Sequence, residues 1–237
     1  MKFVLSAFRP MSAALLTYPR LYAFPRQPDP PGEADFIILD SGAFALSCYG
    51  GRMTAKHKAD LAVYYAAHGG PKVLCIAPDV YLDPRQTMRN FLDWQRAGKH
   101  SVVPVFQTTR ARYFDLRSFR EQAACYASFA LPKLFGRPVV AIGDPSLSAN
   151  ECGNALLHAC EIIRQKIPDA WVHVLGAGWS REDVEAWRRL GCVDSIDSIA
   201  YYEDARAGIV WQGAKPGKNW RETAVNNALV AIAAAGE

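Results

Sequence analysis

The sequence lacks the features that mark membrane and secreted proteins. No apolar run approaches the roughly 18 residues that a membrane-spanning helix needs, and the Ala-rich segment 224–235 is interrupted by Asn226 and Asn227. The N-terminal apolar run is stopped at once by Arg9 and Pro10, so it predicts a first strand and not a signal peptide. We therefore expect a soluble protein of the cytoplasmic type that has no membrane partner.

Metal and cofactor motifs are also missing. The six cysteines are scattered and form no CxxC pair, and their spacing fits neither a zinc site nor a secreted disulfide framework. The five histidines show no metal-ligand spacing, and each is interpreted as a surface or core residue. The glycines belong to no full GxGxxG or Walker pattern. We predict no metal and no cofactor.

What the chain does contain is a regular alternation of short apolar runs with longer stretches of helical periodicity. This alternation is typical of a parallel sheet with crossover helices, and 237 residues suit one α/β barrel. We predict an α/β fold, a single (β/α)8 TIM-type barrel domain over residues 1–237. The candidate strands are 3–6, 36–39, 73–77, 102–106, 139–142, 171–175, 195–199 and 209–211. The candidate helices are 54–68, 84–97, 112–131, 150–166, 180–190 and 218–235, and residues 18–34 are expected to form a long first loop.

Polar residues stand at the ends of five predicted strands. They are Asp40, Asp79, Gln107, Asp144 and Asp197. In a (β/α)8 barrel the carboxyl ends of all strands meet at one mouth, where active sites of this fold are built. Acids that share such a site can divide the work of nucleophile, proton donor and substrate acceptor.

A structural interpretation stands beside the catalytic one. An aspartate at a strand end often caps the following helix or turn, and this alternative applies to each acid taken singly. Asp194 sits earlier in its strand than Asp197, and we interpret it as a turn or salt-bridge residue. Asp35 and Asp83 receive the same structural interpretation.

A basic cluster with interleaved tryptophans surrounds the last predicted strand. Such a cluster can follow phosphates and stack bases of a nucleic acid, although basic residues also simply solvate helix faces. The net charge of +4 adds little to either reading. The residues expected to bind a nucleic-acid backbone are Arg206, Lys215, Lys218 and Arg221, with Trp211 and Trp220 among them.

Several strand-end segments resemble motifs of the tRNA-guanine transglycosylase superfamily. LDSGAF is similar to the family's DSGGF motif, and IAPD resembles the strand that carries the guanine-recognising acid. The resemblance implies Asp40 as general acid/base, with Ser41, Gly42 and Phe44 as walls of the base pocket. It implies Asp79 as the acid that reads the base.

Further segments follow in the family's order. VFQT resembles the strand with the base-binding glutamine, here Gln107, and VAIGD resembles a Gly-Gly backbone contact whose second glycine is replaced, here Gly143 and Asp144. VLGAG looks like the LMGVG segment, which would place Leu175 and Gly176 against the base, and DSIDSIAYY resembles FDSAAY. This last match implies Asp197 as nucleophile.

The resemblance is closest to the short DNA-modifying branch called DpdA. It implies exchange of guanine in a nucleic acid, DNA by this reading, for a 7-deazaguanine base such as preQ0 through a covalent aspartyl-sugar intermediate. Two departures favour DNA over tRNA: the family's cysteine-rich zinc site is missing, and no RNA-binding domain follows the last helix. A homodimer is a family-level expectation.

Three alternatives remain open at this stage. The first is a transglycosylase-like enzyme that acts on tRNA. The second is a non-catalytic nucleic-acid-binding barrel that works as a subunit with an accessory protein. The third is a carbohydrate-active barrel in which two rim acids hydrolyse a glycoside.

Overall fold

The structure is a computed structural model that describes residues 1–6, 15, 17–25, 34–48, 50–98, 101–110, 113–144 and 149–236. Its strands are β1 Lys2–Ser6, β2 Arg20–Ala23, β3 Ile37–Asp40, β4 Val73–Cys75, β5 Val105–Gln107, β6 Lys133–Leu134, β7 Arg137–Gly143, β8 Trp171–Leu175 and β9 Ser195–Ser198. Its helices are α1 Ala43–Cys48, α2 Ala55–His68, α3 Pro84–Arg96, α4 Leu116–Tyr126, α5 Ala149–Lys166, α6 Arg181–Leu190, α7 Ala200–Arg206 and α8 Trp220–Ala235.

Eight parallel strands form a curled sheet in the order β4-β3-β2-β1-β9-β8-β7-β5. Apart from the small strand β6, which pairs antiparallel with β7, each strand lies beside its neighbours in the chain, and β9 lies beside β1. The two end strands meet through a parallel bridge between Ile76 and Val103. The amide of Val103 donates to the carbonyl of Cys75, and that of Ala77 donates to Val103, each at 2.8 Å. This α/β topology is consistent with a TIM-like fold, as the sequence predicted.

Alternating side chains divide the core into two layers. In β8, Trp171 joins an apolar cluster inside the curled sheet, whereas Val172 and Val174 join the cluster between sheet and helices. The same period of two governs the other strands; the inward-facing layer includes Val4, Leu21, Ile38, Val105 and Ala141. Two residues further along each strand, the next inward-facing side chain reaches the carboxyl-end mouth.

One predicted strand is wrong, and two strands were missed, β2 and the two-residue β6 that pairs with β7. Residues 209–211 form no strand: Ile209 is half exposed, and the Trp211 amide donates to Asn227 of α8 at 2.9 Å. The missing member of the sheet is β2, which lies within the segment predicted as a long loop. β2 has only four residues between proline-rich stretches, so it produces no clear period-two signal. The predicted number of sheet strands is therefore right, but the identity of one is not.

The six predicted helices are confirmed, with shifted ends. Thr54 and Ser180 cap α2 and α6, because their side chains accept hydrogen bonds from the amides of His57 and Asp183. The short helices α1 and α7 were not predicted. Within the described ranges, no helix is long and apolar enough to cross a membrane.

Candidate active site

Three of the predicted strand-end acids influence one another at the mouth. Asp40 is the last residue of β3, Asp197 lies in β9, and Asp79 follows β4. Burial, together with the negative charges of Asp79 and Asp197, raises the pKa of Asp40 from 3.8 to about 7. The amides of Ser41 and Gly42 oppose this rise; the Gly42 N–H donates to Asp40 Oδ2 at 3.1 Å. Asp40 can therefore both give and take a proton near neutral pH.

Asp79 is the acceptor at the centre of a buried network. The Ser41 hydroxyl donates to its Oδ1 at 2.6 Å, and the Gln107 amide nitrogen donates to its Oδ2 at 2.8 Å. Burial raises the pKa of Asp79, and these two hydrogen bonds counteract the rise. The structure thus brings together three residues that the sequence assigned to one base pocket.

Gln107 is itself held by a second glutamine that sequence reasoning missed. The backbone N–H of Gln107 donates to Gln122 Oε1 at 2.9 Å, and Gln122 Nε2 donates back to the backbone carbonyl of Gln107 at 3.1 Å. Gln122 is fully buried on α4. A glutamine on the buried face of a predicted amphipathic helix was the signal for it, because a buried amide needs partners.

Gly143 makes room for the Gln107 side chain. It pairs with Gln107 across β5 and β7, and a Cβ atom placed on it would lie 2.5 Å from Gln107 Nε2 and 2.9 Å from Val105 Cγ1. The resemblance assigned Gly143 to a backbone contact with the base. The structure shows a steric reason for glycine at this position.

Replacing Gly143 by alanine should displace the Gln107 amide from Asp79. We expect weaker binding of whatever ligand this pair recognises and a loss of roughly 1 kcal/mol in the free energy of unfolding, because the core is over-packed locally. Urea unfolding and ligand titration measure both effects. Gly70→Ala is the matched control, since its Cβ would meet only Val73 Cγ2 at 3.7 Å. Equal behaviour of the two variants would contradict this role.

Asp197 has three polar partners. The Gly176 amide donates to Oδ1 at 2.9 Å, His173 Nε2 lies 3.2 Å from the same oxygen, and the Ser6 hydroxyl donates to Oδ2 at 2.9 Å. The carboxylate is thereby held at the mouth by β1, β8 and the turn after β8. A fixed carboxylate that only accepts hydrogen bonds suits a nucleophile.

Ser6 and His173 are contributors that the sequence reading missed. His173 was interpreted as a surface or core histidine, and it is indeed buried, with 1% of its surface exposed. Its position was readable: in WVHVL it has the inward parity of Trp171 and Leu175. A polar side chain at an inward position near a strand end is a candidate site residue.

The remaining pocket residues are distributed around this centre. Gly176, with a φ of 69°, and Leu175 are half-buried at the end of β8. Asp144 is fully buried and accepts a hydrogen bond from the Thr108 hydroxyl at 3.2 Å. Phe44 is exposed, and its ring meets that of Tyr81 edge to face, with centroids 5.4 Å apart.

The predicted basic cluster does not surround a strand. All four members are exposed on the end of α7, the loop that follows it and the first turn of α8. Arg206 lies 3.5 Å from Glu203, and Arg221 lies over the Trp220 ring at 5.2 Å. Neither contact joins Arg206 or Arg221 to the three acids. Lys215 and Lys218 are the other members of the cluster.

Asp194, which the sequence predicted as a turn or salt-bridge residue, forms two salt bridges. Its carboxylate contacts Arg137 Nη1 at 2.6 Å and Arg164 Nη2 at 2.9 Å, and it accepts the Val172 amide at 2.9 Å. These contacts tie β7, α5 and β8 together on the side of the sheet opposite the mouth. Asp194 and Asp197, three residues apart, thus have different partners.

Metal-ligand clusters and known relatives give no further assignment. In the part of the chain that the structure describes, no group of three His, Cys, Asp or Glu side chains is placed to hold a metal ion.

No protein family matches the chain, and no curated protein is similar to it. One solved structure that it matches is the YdjI aldolase from Escherichia coli K12, over 99% of this chain and 91% of that one, with 12% identity and a TM-score of 0.38. A likeness this weak supports no statement about activity.

Proposed function

We propose that this chain is a guanine transglycosylase with a (β/α)8 barrel, which exchanges guanine in DNA for a 7-deazaguanine base such as preQ0. The observation that carries the proposal is that three acids in three different environments meet at one mouth. Asp40 has a pKa near 7, Asp197 is fixed by three donors, and Asp79 forms a network with an amide. Nucleophile, proton carrier and base reader are the three parts that base exchange needs.

The Asp79 and Gln107 pair supplies complementary chemistry for guanine. A carboxylate offers four lone-pair sites, of which Ser41 and Gln107 occupy two. The remaining sites can accept the ring N–H and the exocyclic amino group of guanine. The exposed Phe44 ring of α1 and the half-buried Tyr81 ring offer an apolar wall for a planar base.

The reaction would take place in two balanced half-steps. In the first, a carboxylate oxygen of Asp197 bonds to C1′ of the sugar while the bond from C1′ to the base breaks. The bonding electron pair leaves with the base, which takes the proton carried by Asp40. In the second, the incoming base gives its proton to Asp40 and bonds to C1′, and the electron pair of the C1′–oxygen bond returns to Asp197.

The target nucleotide must leave the base stack to reach these acids. A buried carboxylate network cannot contact a base within a duplex, so the substrate would be single-stranded or flipped out. Arg206, Lys215, Lys218 and Arg221 are exposed and would hold flanking phosphates. DNA is preferred over tRNA because the scattered cysteines provide no zinc site of the tRNA-type enzymes.

Asp79→Ala should chiefly weaken base binding. The variant removes the acceptor of the Ser41 and Gln107 hydrogen bonds and leaves Asp40 and Asp197 in place. We expect the KM for guanine to rise by about 10- to 100-fold, the effect of losing hydrogen bonds to a charged group, with a smaller change in kcat. Steady-state exchange at varied guanine concentration measures both constants. An unchanged KM would remove Asp79 from base recognition.

Incorporation of labelled guanine into DNA or tRNA by the purified protein tests the proposal against its rivals. Release of sugar from simple glycosides without base exchange would favour the carbohydrate-active barrel. Tight nucleic-acid binding without any exchange or covalent adduct would favour the non-catalytic subunit.

A further inference from the structure

A chain of buried polar groups leads from the inside of the curled sheet to Asp197. The Trp171 indole N–H donates to the Ser195 hydroxyl oxygen at 2.8 Å. That oxygen lies 2.9 Å from His173 Nδ1, and His173 Nε2 lies 3.2 Å from Asp197 Oδ1. Four side chains of β8 and β9 thus form one line in which each polar atom has a partner, and none of them is more than 8% exposed.

The direction of donation along this line follows from its two ends. The indole nitrogen can only donate, so Ser195 Oγ accepts at that end and has its own proton free to give to His173 Nδ1. A carboxylate at the other end can only accept, so the histidine proton belongs on Nε2. The opposite neutral tautomer would place a bare Nε2 lone pair against the Asp197 carboxylate.

We propose that His173, held by Ser195 and Trp171, is a positioning residue that fixes Asp197 Oδ1 and leaves Oδ2 as the attacking oxygen. Oδ1 accepts from both Gly176 and His173, and these two bonds occupy its two lone pairs. Among the residues that the structure describes, Oδ2 accepts from Ser6 alone. The free lone pair on Oδ2 is the one available for a new bond. This inference rests on the proposed function for the step in which that bond forms.

The proposed role requires no proton transfer through His173. When Oδ2 bonds to C1′, Oδ1 becomes the ester carbonyl oxygen and keeps its two donors. When the incoming base displaces the sugar, the electron pair of the C1′–Oδ2 bond returns to the carboxylate, and the same donors stabilise the returning charge. His173 therefore acts through Asp197 and never contacts the sugar.

Two variants separate this role from simple packing. His173→Leu has a similar volume and no donor, whereas His173→Gln places an amide N–H near the position of Nε2. We expect His173→Leu to lower kcat by about 10- to 100-fold, as for loss of one hydrogen bond to a charged group, with the KM for guanine within about twofold. His173→Gln should recover most of this loss. Equal kcat values for His173→Leu and the wild type, or equal losses in both variants, would overturn the positioning role.

A measurement that is independent of activity tests the hydrogen bond itself. Nitrogen-15 NMR of the folded protein labelled at histidine reports the tautomer of each ring, and the His173→Gln spectrum assigns the His173 signals. We expect His173 to be protonated at Nε2, and the Nε2 signal to shift in Asp197→Ala. A proton on Nδ1 alone would overturn the inference. If the wild-type protein exchanges no base, the proposed function fails while the NMR result still decides whether His173 donates to Asp197.

Discussion

Replacing Asp197 by asparagine should abolish base exchange while the protein keeps its fold. Asparagine has the same shape, and its carbonyl oxygen can still accept from Gly176 and His173, while its amide can donate to Ser6. The amide cannot form the bond to C1′. Because removal of a nucleophile eliminates the covalent route, we expect kcat to fall by more than about 10³-fold. Initial rates of guanine incorporation and thermal unfolding of the same preparation measure the two effects.

Asp194→Asn is the matched control for this variant. It changes the same residue type three positions earlier, but there it breaks the contacts with Arg137 and Arg164. We expect it to lower the free energy of unfolding by about 1–3 kcal/mol, because two half-buried guanidinium groups lose their partner. Its kcat should stay within about twofold of wild type in samples that are fully folded. Full exchange by Asp197→Asn, or selective loss in Asp194→Asn, would contradict the assignment.

Replacing Asp40 by asparagine should remove the proton carrier, and the rate should then lose its maximum near neutral pH. The first half-step needs protonated Asp40 and the second needs its carboxylate, so the wild-type rate should be highest near its pKa of about 7 and fall on both sides. Asparagine can do neither, and we expect kcat to fall by about 10²–10⁴-fold, the usual contribution of acid–base catalysis. A pH series from 5 to 9 measures this. A wild-type rate that is flat over that range would contradict the role of Asp40.

The same substitution should stabilise the protein at alkaline pH. Burial raises the pKa of Asp40 above its ordinary value of 3.8, so the folded state holds this proton more tightly than the unfolded chain. That contribution to stability is fully present below pH 3.8 and is lost as the pH rises through about 7. Asp40→Asn should therefore be more stable than wild type at pH 8, by roughly 1–2 kcal/mol for a partly solvated group. Asp35→Asn, which removes an exposed carboxylate paired with Lys2, should show no such gain.

The sequence predicted which strand-end residues meet at the mouth better than it predicted the individual elements. Asp40, Asp79, Gln107 and Asp197 follow strong apolar runs, and parallel strands bring their carboxyl ends to one mouth whatever the details of the connections. β2 was not predicted because four residues between prolines are too few to show a period of two. The run 209–211 was mistaken for a strand because Trp211 packs inward from a loop.

The supporting residues around the acids were beyond sequence reasoning for a different reason. The partners that place these residues in the site lie far away in the chain: 191 positions for Ser6, 15 for Gln122 and 24 for His173. Such pairs are set by strand register and by the packing of α4, which a periodic pattern does not specify. The steric need for glycine at position 143 likewise depends on where the Gln107 side chain lies.

The most direct test of the account is transfer of radiolabelled guanine into DNA and, in a separate reaction, into unmodified tRNA by the purified protein, with Asp197→Asn as control. We expect label in DNA, dependent on Asp197, and release of that label when unlabelled preQ0 is added. Label in tRNA alone would preserve the chemistry and overturn the choice of substrate. No label in either polymer, from folded protein that binds nucleic acid, would contradict base exchange by this chain.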